Sequence, residues 1–101
     1  MSTAREVGYK ERQAAACRIL AMSFYEVGDY IQSIESSKEE LAIAREVGDR
    51  ERQASVCDVL ARSYLCVGGY KQGIEYGKKA LSIARYGIIL RFWETAHLPR
   101  H

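Results

Sequence analysis

The chain has 101 residues, enough for one small domain or a piece of a longer array, and its 28% charged and 48% apolar residues with a single proline near the C-terminus exclude extensive disorder. Its formal charge of +2 comes from interleaved acidic and basic residues, with no basic stripe and no long apolar run. Binding to nucleic acid or membrane is therefore not expected, and the reading is a soluble cytoplasmic protein. The cysteines Cys17, Cys57 and Cys66 are too few, and odd in number, for a secreted disulfide scaffold.

In chain order, residues 1–10 read as the end of a preceding repeat, a partial helix closing at Gly8. From Glu11 to Val27 the apolar positions Ala14, Cys17, Leu20, Ala21, Phe24 and Val27 have the three-and-four spacing of an amphipathic helix, stopped by Gly28. Asp29 offers a cap for a second helix through Tyr30, Ile34, Leu41, Ile43 and Ala44, which stops at Gly48. Residues 11–48 thus form one helix–turn–helix unit. Asp49 opens a second unit, 49–85: a helix carrying Ala54, Cys57, Leu60, Ala61, Tyr64 and Val67 ends at Gly68 and Gly69. Tyr70, Ile74, Ala80, Leu81, Ile83 and Ala84 mark the fourth helix. No strand-like alternation occurs, so the class is all-α.

The two units are one text written twice. Ala4–Arg45 returns forty positions later as Ala44–Arg85, with 24 of the 42 paired positions identical. A unit of this length cannot bury its apolar face alone and must stack on a neighbour. Cys17 and Cys57 are equivalent positions on helices expected roughly 8 to 10 Å apart, too far for an unstrained bridge, and read as small buried hydrophobes. Two complete units are fewer than the three usual for independent stability, so a marginal fold is expected.

Leu20-Ala21, Phe24, Gly28, Tyr30 and Ile34 in the first unit, and Leu60-Ala61, Tyr64, Gly68, Tyr70, Ile74 and Ala80 in the second, fall in the order and spacing of the tetratricopeptide signature. The chain resembles that family. The resemblance implies tandem antiparallel helix pairs stacked as a right-handed solenoid, here two full repeats with a partial N-terminal helix and a divergent C-terminal helix or tail. The forty-residue period and the linker Ala-Arg-Glu-Val-Gly-Asp-Arg are similar to the longer-helix subclass of the G-protein-signalling modulators and rapsyn. Five residues depart from the pattern: Ser37 and Gly77 replace a large aromatic, Glu40 replaces a small residue, and Arg45 and Arg85 stand where a proline often ends the unit. Gly73 and Gly77 within one helix predict a looser second unit.

After Arg85 the repeat is abandoned. Residues 86–101 are either a capping helix, with Ile88, Ile89, Phe92, Trp93 and Ala96 on one face, or a tail without an evolved role; left uncovered, Ile88, Ile89, Phe92 and Trp93 would be a surface for self-association. His97 and His101 have an i, i+4 spacing but straddle Pro99 and lack a third ligand, so no metal is expected. No phosphate loop, nucleophile constellation or cofactor motif is present, and no catalysis is expected.

The resemblance implies a concave groove lined by the first helix of each unit. Carried over by position, its lining is Arg18, Ile19, Met22, Tyr25 and Glu26, then Asp58, Val59, Arg62, Leu65 and Cys66. Arg18 and Arg62 would meet partner carboxylates, and Met22, Tyr25 and Leu65 would give apolar contact. Many peptide-binding members carry Asn at two of the positions held here by Ile19, Met22, Val59 and Arg62, so a two-carboxylate clamp is not expected. The expected function is a non-catalytic scaffold or adaptor module holding a partner peptide or helix. The alternatives are a structural spacer or self-associating element without a dedicated ligand, and a regulatory array attached to an enzyme or switch.

Overall fold

Three glycines in the left-handed region, Gly28, Gly48 and Gly68 (φ 83°, 73° and 80°), set where the chain reverses. The computed structural model describes residues 3–97 and contains helices α1 (Ala4–Glu26), α2 (Tyr30–Val47), α3 (Arg50–Cys66) and α4 (Tyr70–His97), with no strand among the described residues. Asp29 and Asp49 cap the helices that follow, each accepting a bond from the backbone N–H three residues on, of Gln32 at 3.2 Å and Arg52 at 3.0 Å. In the third turn Gly69 takes the aspartate's place, and a Cβ there would stand 2.9 Å from Cδ1 of Tyr64. The ring of Tyr64 excludes a side chain at this point.

Each helix packs against the next in sequence, giving consecutive hairpins stacked as a helical repeat. Lys10 pairs with Glu46 at one end of α1 and α2, while the Ser33 hydroxyl donates to the Ala21 carbonyl at 2.8 Å near the other, which fixes the antiparallel register. The main core joins the hairpins: Ile34 and Leu41 of α2 meet Val56, Cys57 and Leu60 of α3, with Tyr64, Tyr76, Ala80 and Ile83 packed around them. Ala14, Cys17 and Ile43 form a smaller cluster inside the first hairpin. All three cysteines are free, with Cys17 and Cys57 buried and Cys66 exposed.

The helices overrun the unit boundaries at both ends. α1 starts at Ala4 and passes through Gly8 without a turn, whereas the equivalent Gly48 ends α2. The difference lies in the following residue: Asp49 caps α3, and Tyr9 has no side-chain oxygen placed for that bond. Likewise α4 continues past Arg85 to His97, because Ile88 and Ile89 stand where a Gly-Asp turn would be. Residues 86–97 are therefore a helical overhang of α4, on which Ile88, Ile89, Phe92, Trp93 and Ala96 are exposed. His101 and Pro99 lie outside the described residues.

Identical residues in the two units have different surroundings. Leu60 is 0% exposed and Leu20 50%, Ile34 is 7% exposed and Ile74 58%, and Leu41 is 3% exposed and Leu81 49%. The inner pair of helices covers itself; the outward faces of α1 and α4 do not. Among residues 70–96 of α4 only Gly73 is buried.

Candidate partner-binding groove

α1 and α3, the first helices of the two units, lie side by side and leave a depression of about 270 Å³ between them. Its lining contains seven of the sequence-predicted residues: Arg18, Met22, Tyr25 and Glu26 from α1, and Asp58, Val59 and Arg62 from α3, joined by Ser55. Ile19, Leu65 and Cys66 are exposed outside it, although Cys66 touches its edge with Sγ 3.9 Å from the Tyr25 hydroxyl. This contact with the thiol raises the Tyr25 pKa above the ordinary phenol value, with burial adding to the shift. The ring of Tyr25 is held edge-on to Tyr30, with centroids 5.3 Å apart.

The two arginines of the depression have different roles. Arg18 donates from Nε to Oε2 of Glu40 at 2.9 Å and from Nη2 to the Ser55 hydroxyl at 2.7 Å. Arg52 donates from Nη1 to the same Glu40 oxygen at 2.8 Å. Glu40 is 2% exposed, so this three-residue cluster ties α1, α2 and α3 together at the back of the groove. Arg18 thus lines the depression with two partners already inside the fold. Arg62 is exposed and, among the described residues, pairs along its own helix, with Nε 3.3 Å from Oδ2 of Asp58. A surface pair of that kind is weak and exchanges readily for another anion.

The groove therefore offers one available guanidinium, two carboxylates (Glu26 and Asp58) and an apolar strip formed by Met22 and Val59. Glu40 and Ser55 are the residues around the depression that pattern reading did not assign. Glu40 carried a signal: a carboxylate where the second unit has Ala80 must have a partner if it is buried. Ser55 carried none, since a serine on a helix surface is unremarked until an arginine reaches it. Among the described residues no group of three or more His, Cys, Asp or Glu could hold a metal ion, and no helix is long and apolar enough to cross a membrane.

No curated protein and no solved structure matches the chain. Residues 11–85, spanning both units, match the family model of the tetratricopeptide repeat, a repeat that generally serves protein–protein interaction. The chain belongs to the tetratricopeptide repeat family.

Proposed function

We propose that the chain is a non-catalytic interaction module of a cytoplasmic scaffold or adaptor, of the longer-helix subclass, and that it holds a partner segment in the depression between α1 and α3. The observation that supports this reading most is the lining itself: α1 and α3 contribute equally to one concave surface whose apolar strip, Met22 and Val59, is flanked by exposed charge from Arg62, Asp58 and Glu26. A surface that mixes an apolar anchor strip with charges of both signs suits an amphipathic segment carrying at least one carboxylate for Arg62 and one cation for Asp58 or Glu26. With Arg18 held by Glu40, specificity falls on Arg62 rather than on a pair of arginines.

The test is selection of binders from a displayed peptide library, followed by titration of the selected peptides against variants. Peptides bound in the groove lose affinity with Met22→Glu and Arg62→Glu and keep it with Ile89→Glu, on the α4 overhang. Peptides that bind both groove variants as tightly as the unaltered chain would overturn the assignment.

A further inference from the structure

The internal repeat identifies what fits the uncovered face of α4. Within the chain, the α2 face carrying Ile34 and Leu41 is covered by α3 through Val56, Cys57 and Leu60. The α4 residues at the same positions, Ile74 and Leu81, are identical in type and exposed. The counterparts of these covering residues on α1 are Ala16, Cys17 and Leu20; Ala16 and Leu20 are exposed, with Ile19 exposed beside them, while Cys17 is already buried inside the first hairpin. The molecule therefore has, on opposite ends, both halves of the joint it already uses in its middle.

We infer that two copies of this chain stack head to tail, the outer face of α1 from a second copy covering the outer face of α4 from the first in the geometry of the α2–α3 joint. The inference does not rest on the groove reading, although the two surfaces meet at Asp58, which lines the groove. Three further observations favour a second copy over an unrelated helix.

The first is charge. In the internal joint Arg18 and Arg52 would repel but share Glu40, with donor distances of 2.9 and 2.8 Å to one oxygen. At the joint between copies the equivalent residues are Asp58 of the first copy, Ala80, and Arg12 of the second. The shared carboxylate is gone, and so is the need for it, because Asp58 and Arg12 are opposite in charge. The internal cluster carries a net charge of +1, and the changes at the Arg18 and Glu40 positions leave the joint between copies with none.

The second is repeated polar contact. Gln53 donates to the Ala44 carbonyl at 3.3 Å across α2 and α3, and the equivalent residues Gln13 and Ala84 are unchanged in type. Lys38 sits 5.7 Å over the Tyr64 ring, and the equivalents are Lys78 and Phe24, again a cation and an aromatic face.

The third is length. α1 has 23 residues and α4 has 28, against 18 for α2 and 17 for α3. The extra turns of α1 are at its N-terminus and those of α4 at its C-terminus, which the antiparallel register brings alongside each other. Carrying that register forward sets Ile88 of the first copy beside Tyr9 of the second, residues that are 69% and 62% exposed in the single chain. This extension offsets the smaller volume of Ala16 compared with Val56.

Such a contact joins two different faces, so its repetition builds an open string or a ring rather than a closed two-fold dimer. The experiment is sedimentation velocity of the full chain over a concentration series, with Leu20→Glu and Leu81→Glu each alone and mixed in equal amounts. The unaltered chain is expected to grow through dimer to larger species. Each variant alone is expected to stay monomeric, and the mixture to stop at a dimer, since Leu20→Glu keeps a working α4 face and Leu81→Glu a working α1 face. Asp58→Arg, an exposed change that does not rely on the apolar core, is expected to weaken association on the order of tenfold and to regain it when combined with Arg12→Asp. It also serves if a glutamate variant loses its helical circular dichroism. A monomer at every concentration, a mixture that remains monomeric although both variants are folded, or association indifferent to Asp58→Arg overturns the inference.

Discussion

Arg18 of α1 and Arg52 of α3, two cations from different repeats, converge on a single oxygen of Glu40. The carboxylate is buried and each guanidinium is partly so, with side chains 29% and 23% exposed. Removing the anion leaves two like charges facing each other at the joint between hairpins. Glu40→Ala, which copies the residue found at position 80, is expected to destabilise the fold by about 2 to 3 kcal/mol, less than a fully buried pair would give because both arginines can reach water. The midpoint of urea unfolding reports it.

Ser37 presents the opposite case. Its hydroxyl is buried and has no hydrogen-bond partner among the described residues, in a position where the second unit has Gly77. Ser37→Ala removes an unsatisfied polar atom and improves helix propensity, so a gain of about 1 kcal/mol in chemical unfolding is expected.

The two glycines inside α4 should respond differently to alanine. At Gly77 nothing lies within 4 Å of an added Cβ, so Gly77→Ala is expected to stabilise by about 1 kcal/mol. At Gly73 the same atom would be 3.2 Å from Cδ2 of Leu65 and 3.3 Å from the Ala61 carbonyl, so the helix gain is offset by crowding. Thermal unfolding followed by circular dichroism should raise the midpoint for the first variant and not for the second.

The thiols provide a pH test. Burial raises the pKa of Cys57 and, with help from Glu39, that of Cys17, above the ordinary thiol value. While the pH is below that ordinary value both states keep their protons and the contribution is fully present. Above about pH 8.5 the unfolded chain ionises first, so stability should fall as pH rises toward the raised folded values. Urea midpoints measured from pH 7 to 10 check the slope. In the folded chain at pH 8 a thiol reagent should modify exposed Cys66 rapidly and the other two only after unfolding.

The sequence made the helical class, the three turns and the helix caps legible because each rests on a local signal. Gly28, Gly48 and Gly68 supply the left-handed residue, and Asp29 and Asp49 supply the cap oxygen. Helix lengths were harder to read, since Gly8 and Gly48 sit in the same five-residue word and only the next residue separates a continuous helix from a turn. The groove was legible as a set of positions; seven of ten candidates line one depression. What could not be read was the commitment of Arg18, which depends on Glu40, 22 residues away, and on Ser55, 37 residues away. Periodicity reports which face a residue is on and says nothing of which distant side chain reaches it.

A turn in this chain is a two-letter punctuation mark. Where Gly-Asp is written, at 28–29 and 48–49, or Gly-Gly, at 68–69, a rod folds back on itself; where the pair is overwritten, by Gly8-Tyr9 or Ile88-Ile89, the rod runs on. Changing Ile88-Ile89 to Gly-Asp should therefore shorten α4 by about two and a half turns without touching the core, and changing Tyr9 to Asp should detach the first turn of α1. The reach of the molecule along its helix axes is thus adjustable by edits too small to disturb its packing, which is how one repeated text can yield rods of different length from the same core.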